Sequence, residues 1–94
     1  MEIKSMNFVL SQHAEEQMLR RGIDKKQLLD VLESPDEIVN DETNEDIRVY
    51  QSIFKENEQL FLLRVFVNIN KQPNMVITVY KTTKIYKYYE AKIR

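Results

Sequence analysis

Arg64 sits between Leu62 and Phe66 in the most apolar stretch of the chain, residues 60–69, where a guanidinium must either be paired or face a cleft. A buried, unpaired charge costs several kcal/mol. Read at the two-residue period of a strand, Arg64 shares a side with Leu62, Phe66 and Asn68, while Phe61, Leu63, Val65, Val67 and Ile69 make the other side wholly apolar. The neighbouring apolar runs divide the same way. Residues 47–54 set Arg48, Tyr50, Ser52 and Phe54 against Ile47, Val49, Gln51 and Ile53, and residues 75–80 set Val76, Thr78 and Tyr80 against Met75, Ile77 and Val79. The pattern predicts a sheet with one greasy face and one equipped with Arg48, Tyr50, Arg64, Thr78 and Tyr80. That equipped face offers Arg64 no carboxylate, so its partner is either an anionic ligand or an acid from the loop at 41–46. Arginine suits bidentate contact with phosphate, and Arg48 would be the second fork.

His13, the single histidine, falls in the first turn of a predicted helix, where free backbone N–H groups favour an anion. Gln17 and Arg20 follow on the same helical face, with Arg21 one step round. The alternative is a half-buried histidine with two arginines that merely balance the helix terminus. The tail KTTKIYKYYEAKIR interleaves bases with tyrosines, a composition suited to neutralising phosphates and stacking on unpaired bases, with Lys84 and Lys87 foremost. Metal sites are not expected from one His, no Cys and a DETNED loop that lacks the glycine of a calcium hand. There is neither a phosphate-cradling glycine loop nor a nucleophile elbow.

The elements that must position these groups follow from start and stop signals. Ser11 is a good N-cap for a helix over 12–21, and Gly22, the only glycine, suits the left-handed position that ends it. Asp24 and Gln27 make a capping-box variant opening a second helix, lined by Leu28, Val31 and Leu32 and closed by Pro35. Both apolar stripes are narrow, so the helices should cover the greasy face of the sheet. Ile38 and Val39 read as a first short strand, and residues 47–54, 60–69 and 75–80 as three more, joined by polar turns at 55–59 and 70–74. The expectation is α+β: two N-terminal helices on an antiparallel sheet of about four strands. Residues 82–91 fit a strand or a helix equally.

Ninety-four residues are read as a single domain, 1–94, with a modest core. The absence of cysteine suits a reducing cytoplasm, and no run is long enough to span a bilayer. The formal net charge of −1 gives no support to a nucleic-acid partner, but charge is segregated. Eight acids and no Lys or Arg lie between Asp30 and Asp46; from Lys81 onward five bases oppose Glu90, a local charge of +4 against −5 for the rest.

The stretch His13-Ala14-Glu15-Glu16-Gln17-Met18-Leu19-Arg20-Arg21-Gly22-Ile23, the Val/Leu-rich helix, Pro35 and the strand Val76-Ile77-Thr78-Val79-Tyr80 resemble the domain-of-unknown-function family 4258. The family helix reads roughly HAxxRMxxRGI, and Gln17 stands where an Arg is usual. Such proteins are grouped with the RelE-like and barnase-like ribonucleases, several of them toxins of toxin–antitoxin pairs. The resemblance implies a cytoplasmic, metal-independent RNA endonuclease that needs no cofactor. Its partners would be RNA, free or on the ribosome, and a cognate antitoxin protein. It places His13, Arg21, Arg48, Thr78 and Tyr80 at the site.

Joined to the residue pattern, this assigns acid or base work to His13, the complementary proton to Tyr80 or Tyr50, and the phosphate to Arg48 and Arg64. Arg20, Arg21, Tyr50, Thr78, Lys84 and Lys87 would hold the strand. The alternative is a non-catalytic module that binds RNA or protein through the same face.

Overall fold

The computed structural model describes residues 2–3 and 7–90, with side chains from residue 7 onward. The elements in chain order are β1 (Glu2–Ile3), β2 (Phe8–Leu10), α1 (Gln12–Arg21), α2 (Lys25–Glu33), β3 (Glu37–Asn40), β4 (Ile47–Glu56), β5 (Gln59–Asn68), β6 (Asn74–Thr82) and α3 (Ile85–Tyr88). One mixed sheet runs β1-β2-β6-β5-β4-β3. The four predicted strands form an antiparallel meander, and the short run at Phe8 adds β2 parallel to β6.

Both helices start where their caps place them. The Ser11 hydroxyl accepts from the Ala14 N–H at 3.1 Å, and Asp24 and Gln27 exchange the two capping-box bonds at 2.8 and 3.3 Å. Gly22 adopts φ 65°, ψ 35° and ends α1. A Cβ there would meet nothing within 4 Å, so Gly22→Ala should cost only backbone strain, about 1 kcal/mol in chemical denaturation.

The main core joins Ala14 and Met18 of α1 and Leu28, Val31 and Leu32 of α2 to Phe61, Leu63, Val65 and Val67 of β5 and Val76 and Val79 of β6. The predicted greasy side of β5 is therefore the covered one. For β4 the assignment reverses. Asn57 and Glu58 alone connect β4 to β5, with φ 51° and 67°, the geometry of a two-residue hairpin turn. That turn pairs Glu56 with Gln59, and in consequence Gln51 with Arg64, Tyr50 with Val65 and Arg48 with Val67. Side chains paired across strands share a face, so Arg48 and Tyr50 lie on the helix side, opposite Arg64. Tyr50 packs into the core and meets Phe8 edge to face at 6.0 Å.

An irregularity between β5 and β6 makes a similar adjustment. Phe66 pairs with Thr78 but Val67 pairs with Val76, so Ile77 is the extra residue and Val76 joins Val79 in the core rather than Thr78 and Tyr80. The far face is not bare. It carries the buried Ile47, Val49 and Leu62, and the segment left open by the sequence becomes α3, whose Ile85 is buried. Ala91 to Arg94, the end of that tail, lie outside the described residues. Among the described residues no helix is long and apolar enough to cross a membrane.

Candidate functional site

On the far face of the sheet a cluster forms around Arg64. Its Nε donates to Gln51 Oε1 at 2.8 Å, and its guanidinium lies over two rings, Phe66 at 5.1 Å and Tyr88 at 4.4 Å. Register explains the first two neighbours, because Gln51 stands opposite Arg64 on β4 and Phe66 is two residues along β5. Tyr88 arrives from α3. Burial pulls the Arg64 guanidinium below its usual pKa, against the opposing influence of Tyr88, Tyr80, Asp41 and Glu90. Among the described residues no carboxylate forms an ion pair with it.

Tyr80 stands opposite Arg64 on β6 and meets Tyr88 edge to face, ring centroids 6.0 Å apart. The Tyr88 phenol is held below the ordinary range, first by hydrogen bonding with the Tyr80 side chain and then by the charges of Lys87 and Arg64. Its neighbour Tyr89 moves the other way, raised by burial and by Asp36 and Glu37. Two adjacent tyrosines are thus shifted in opposite directions, Tyr88 downward and Tyr89 upward.

Arg21 extends the cluster toward α1, its guanidinium 5.8 Å from the Tyr80 ring centroid. The helix is held along the edge of β6: Ser11 Oγ donates to the Ile77 carbonyl at 3.3 Å, and Gln17 Oε1 accepts from the Val79 N–H at 2.9 Å. Gln17 therefore stitches helix to strand beside the irregular Ile77, a role that arginine, having no acceptor, could not fill. Gln17→Leu should leave that N–H without a partner and lower stability by about 1–3 kcal/mol, read as a fall in urea midpoint at constant m.

The sequence-predicted residues separate as follows. Arg64, Tyr80 and Arg21 come together with Lys87, whose Nζ is 5.3 Å from the Tyr88 ring centroid. Thr78 is on the same face, opposite Phe66. His13 is exposed in the first turn of α1, on a stripe with Gln17 and Arg21 and level with Ile77–Val79, outside the Arg64 cluster. Arg20 and Lys84 are exposed. Arg48 and Tyr50 are corrections: Tyr50 is a core residue, and Arg48 Nη1 donates to the Glu45 and Ile47 carbonyls at 2.8 and 3.2 Å on the opposite face. Sequence reasoning missed Gln51 and Tyr88. A two-residue turn at Asn57 and Glu58 was the signal for Gln51, since it dictates the pairing with Arg64; Tyr88 gave only its place in a basic-aromatic tail.

A cavity of about 500 Å³ opens beside Arg64, lined by Lys87 and Tyr88 together with the acids Asp41, Glu42 and Glu90. Among the described residues no group of three or more His, Asp or Glu could hold a metal ion.

A family model described as a domain of unknown function (DUF4258) matches residues 10–81, which is 72 of the 94 residues. No curated protein and no solved structure matches the chain. The matched span runs from the last residue of β2 almost to the end of β6 and includes Arg21, Gln51, Arg64 and Tyr80, stopping short of α3. The chain belongs to the DUF4258 family.

Proposed function

We propose that this protein is a small metal-independent endoribonuclease of RelE/barnase-like type, and that it acts as the toxin of a toxin–antitoxin pair. The observation that carries the reading is Arg64, a partly desolvated cation against the rings of Phe66 and Tyr88, with no carboxylate paired to it among the described residues and with a phenol lowered in pKa beside it. Two helices laid on one face of an antiparallel meander support the RelE/barnase-like grouping.

In this reaction the Tyr88 phenolate takes the 2′-hydroxyl proton, and the 2′-oxygen attacks phosphorus. The bond from phosphorus to the 5′-oxygen breaks, leaving a 2′,3′-cyclic phosphate and a 5′-hydroxyl. The departing 5′-oxygen takes its proton from water at the open side of the cavity, because His13 lies outside the Arg64 cluster. Arg64 holds the charge of the pentavalent phosphoryl group, with Arg21 and Lys87 flanking it. Tyr86, exposed between Lys84 and Lys87, offers a ring to a neighbouring base.

RNA incubated with the purified protein should yield fragments with 5′-hydroxyl ends at the same rate with and without a chelator. Loss of cleavage on chelation, or phosphate at the 5′ ends, would rule the mechanism out. A second reading has its own observation: Asp41, Glu42 and Glu90 share the cavity with Arg64 and Lys87, and a mixed-charge face also suits a protein partner. In that case the chain is a non-catalytic module, and RNA survives intact.

A further inference from the structure

Gln51 is fully buried, yet every polar atom of its side chain is engaged. Oε1 accepts from Arg64 Nε at 2.8 Å, while Nε2 donates to Glu37 Oε2 at 2.5 Å and to the Tyr88 carbonyl at 3.2 Å. The amide can face only one way, because the reverse orientation would set its NH₂ against the Nε–H of Arg64 and its oxygen against a carboxylate and a carbonyl. We propose that Gln51 is a positioning residue that keeps Arg64 an open cation: it anchors the guanidinium through Nε while holding the Glu37 carboxylate one amide away.

This rests on the reading that Arg64 receives a phosphate, and it explains how the arginine stays available for one. A carboxylate at position 51 would occupy the fork itself. With the amide in place, Nε is fixed and the guanidinium lies against the rings of Phe66 and Tyr88. Among the described residues the two Nη groups have no hydrogen-bond partner, and the side chain borders the 500 Å³ cavity. Those two donors match the oxygens of a phosphate. The same amide holds α3 through the Tyr88 carbonyl, so one buried group sets both the cation and the segment that carries the phenol.

The test is a charge swap. The double variant Glu37→Gln with Gln51→Glu keeps composition, net charge and the bonds to Arg64 Nε and the Glu90 N–H, and gives up only the bond to the Tyr88 carbonyl. Gln at 37 can still accept from the Glu90 N–H, which now bonds Glu37 at 2.7 Å, and can donate to the new carboxylate. The variant moves the negative charge from the second position to the first. Inorganic phosphate is titrated into the wild type and the variant, reading the Nε–Hε resonance of Arg64.

Saturable movement is expected in the wild type, with affinity about tenfold weaker or more in the swap, because the carboxylate takes the fork first. Equal affinity in the two proteins overturns the proposal while leaving the phosphate reading intact. No movement in the wild type overturns both. Should the swap fail to fold, Gln51→Met serves: it leaves Nε without its acceptor and should weaken phosphate several-fold, and unchanged affinity there is equally fatal.

Discussion

Arg64→Ala should slow RNA cleavage by about a hundred- to a thousand-fold, the loss seen when one preorganised donor is removed from a developing oxyanion, or about 3–4 kcal/mol of transition-state stabilisation. The fall should lie mainly in kcat, since the phosphoryl charge peaks in the transition state and the ground-state strand is also held by Arg21, Lys84 and Lys87. Arg64→Lys should recover little. Lysine keeps the charge but loses the fork, the Nε bond to Gln51 and the flat contact with the rings of Phe66 and Tyr88. Arg48→Ala is the internal control. Its guanidinium is bonded to loop carbonyls on the opposite face, and its removal should change the rate by no more than about twofold. Single-turnover cleavage of a short RNA measures all three. An Arg64→Ala protein that cuts at close to the wild-type rate would remove the centre of the site.

Tyr88→Phe is expected to cost about a hundred- to ten-thousand-fold, the contribution of one positioned acid–base group. The ring should remain over Arg64, which separates loss of the hydroxyl from loss of packing. The pH profile is the sharper measurement. A phenol whose pKa is lowered from 10.0 carries more phenolate near neutrality, so the rate should climb with pH and level off below the ordinary phenol range. Because the largest cause of the lowering is the hydrogen bond with Tyr80, Tyr80→Phe should move that plateau to higher pH without abolishing it. The Tyr88→Phe protein should lose the climb altogether. A wild-type profile that stays flat across the alkaline range would exclude Tyr88 as the base.

Much of the fold could be read from the chain because its local signals agree. Ser11, Gly22, the Asp24 and Gln27 pair and Pro35 bracket two helices whose ends fall within a residue or two of their caps. The four meander strands follow from two-residue alternation. What alternation cannot supply is the phase between strands. A turn over 55–59 would pair Phe54 with Leu60 and bring Tyr50 and Arg48 round to the side of Arg64. The real turn of two residues pairs Phe54 with Phe61, and that single step sends both residues to the helix side.

The two positive φ angles at Asn57 and Glu58 belong to residues other than glycine, which hid the turn. Arg64 itself was legible as a charge in apolar company needing a partner, and Tyr80 followed from its alternation with Val79. The partner proved to be the amide of Gln51, which composition alone marks as unremarkable. Tyr88 was hidden for a different reason: a single helical turn after an antiparallel sheet has too short a period to register against noise.

That single turn has a cost as well as a use. Its Ile85 is buried on the face of the sheet that holds Ile47, Val49 and Leu62, so the same residues that deliver the phenol also roof a strip of oily strand surface. Peeling the turn away would take the Tyr88 ring off Arg64 and bare that strip in one motion, so a partner that lifted it would find an adhesive patch to hold.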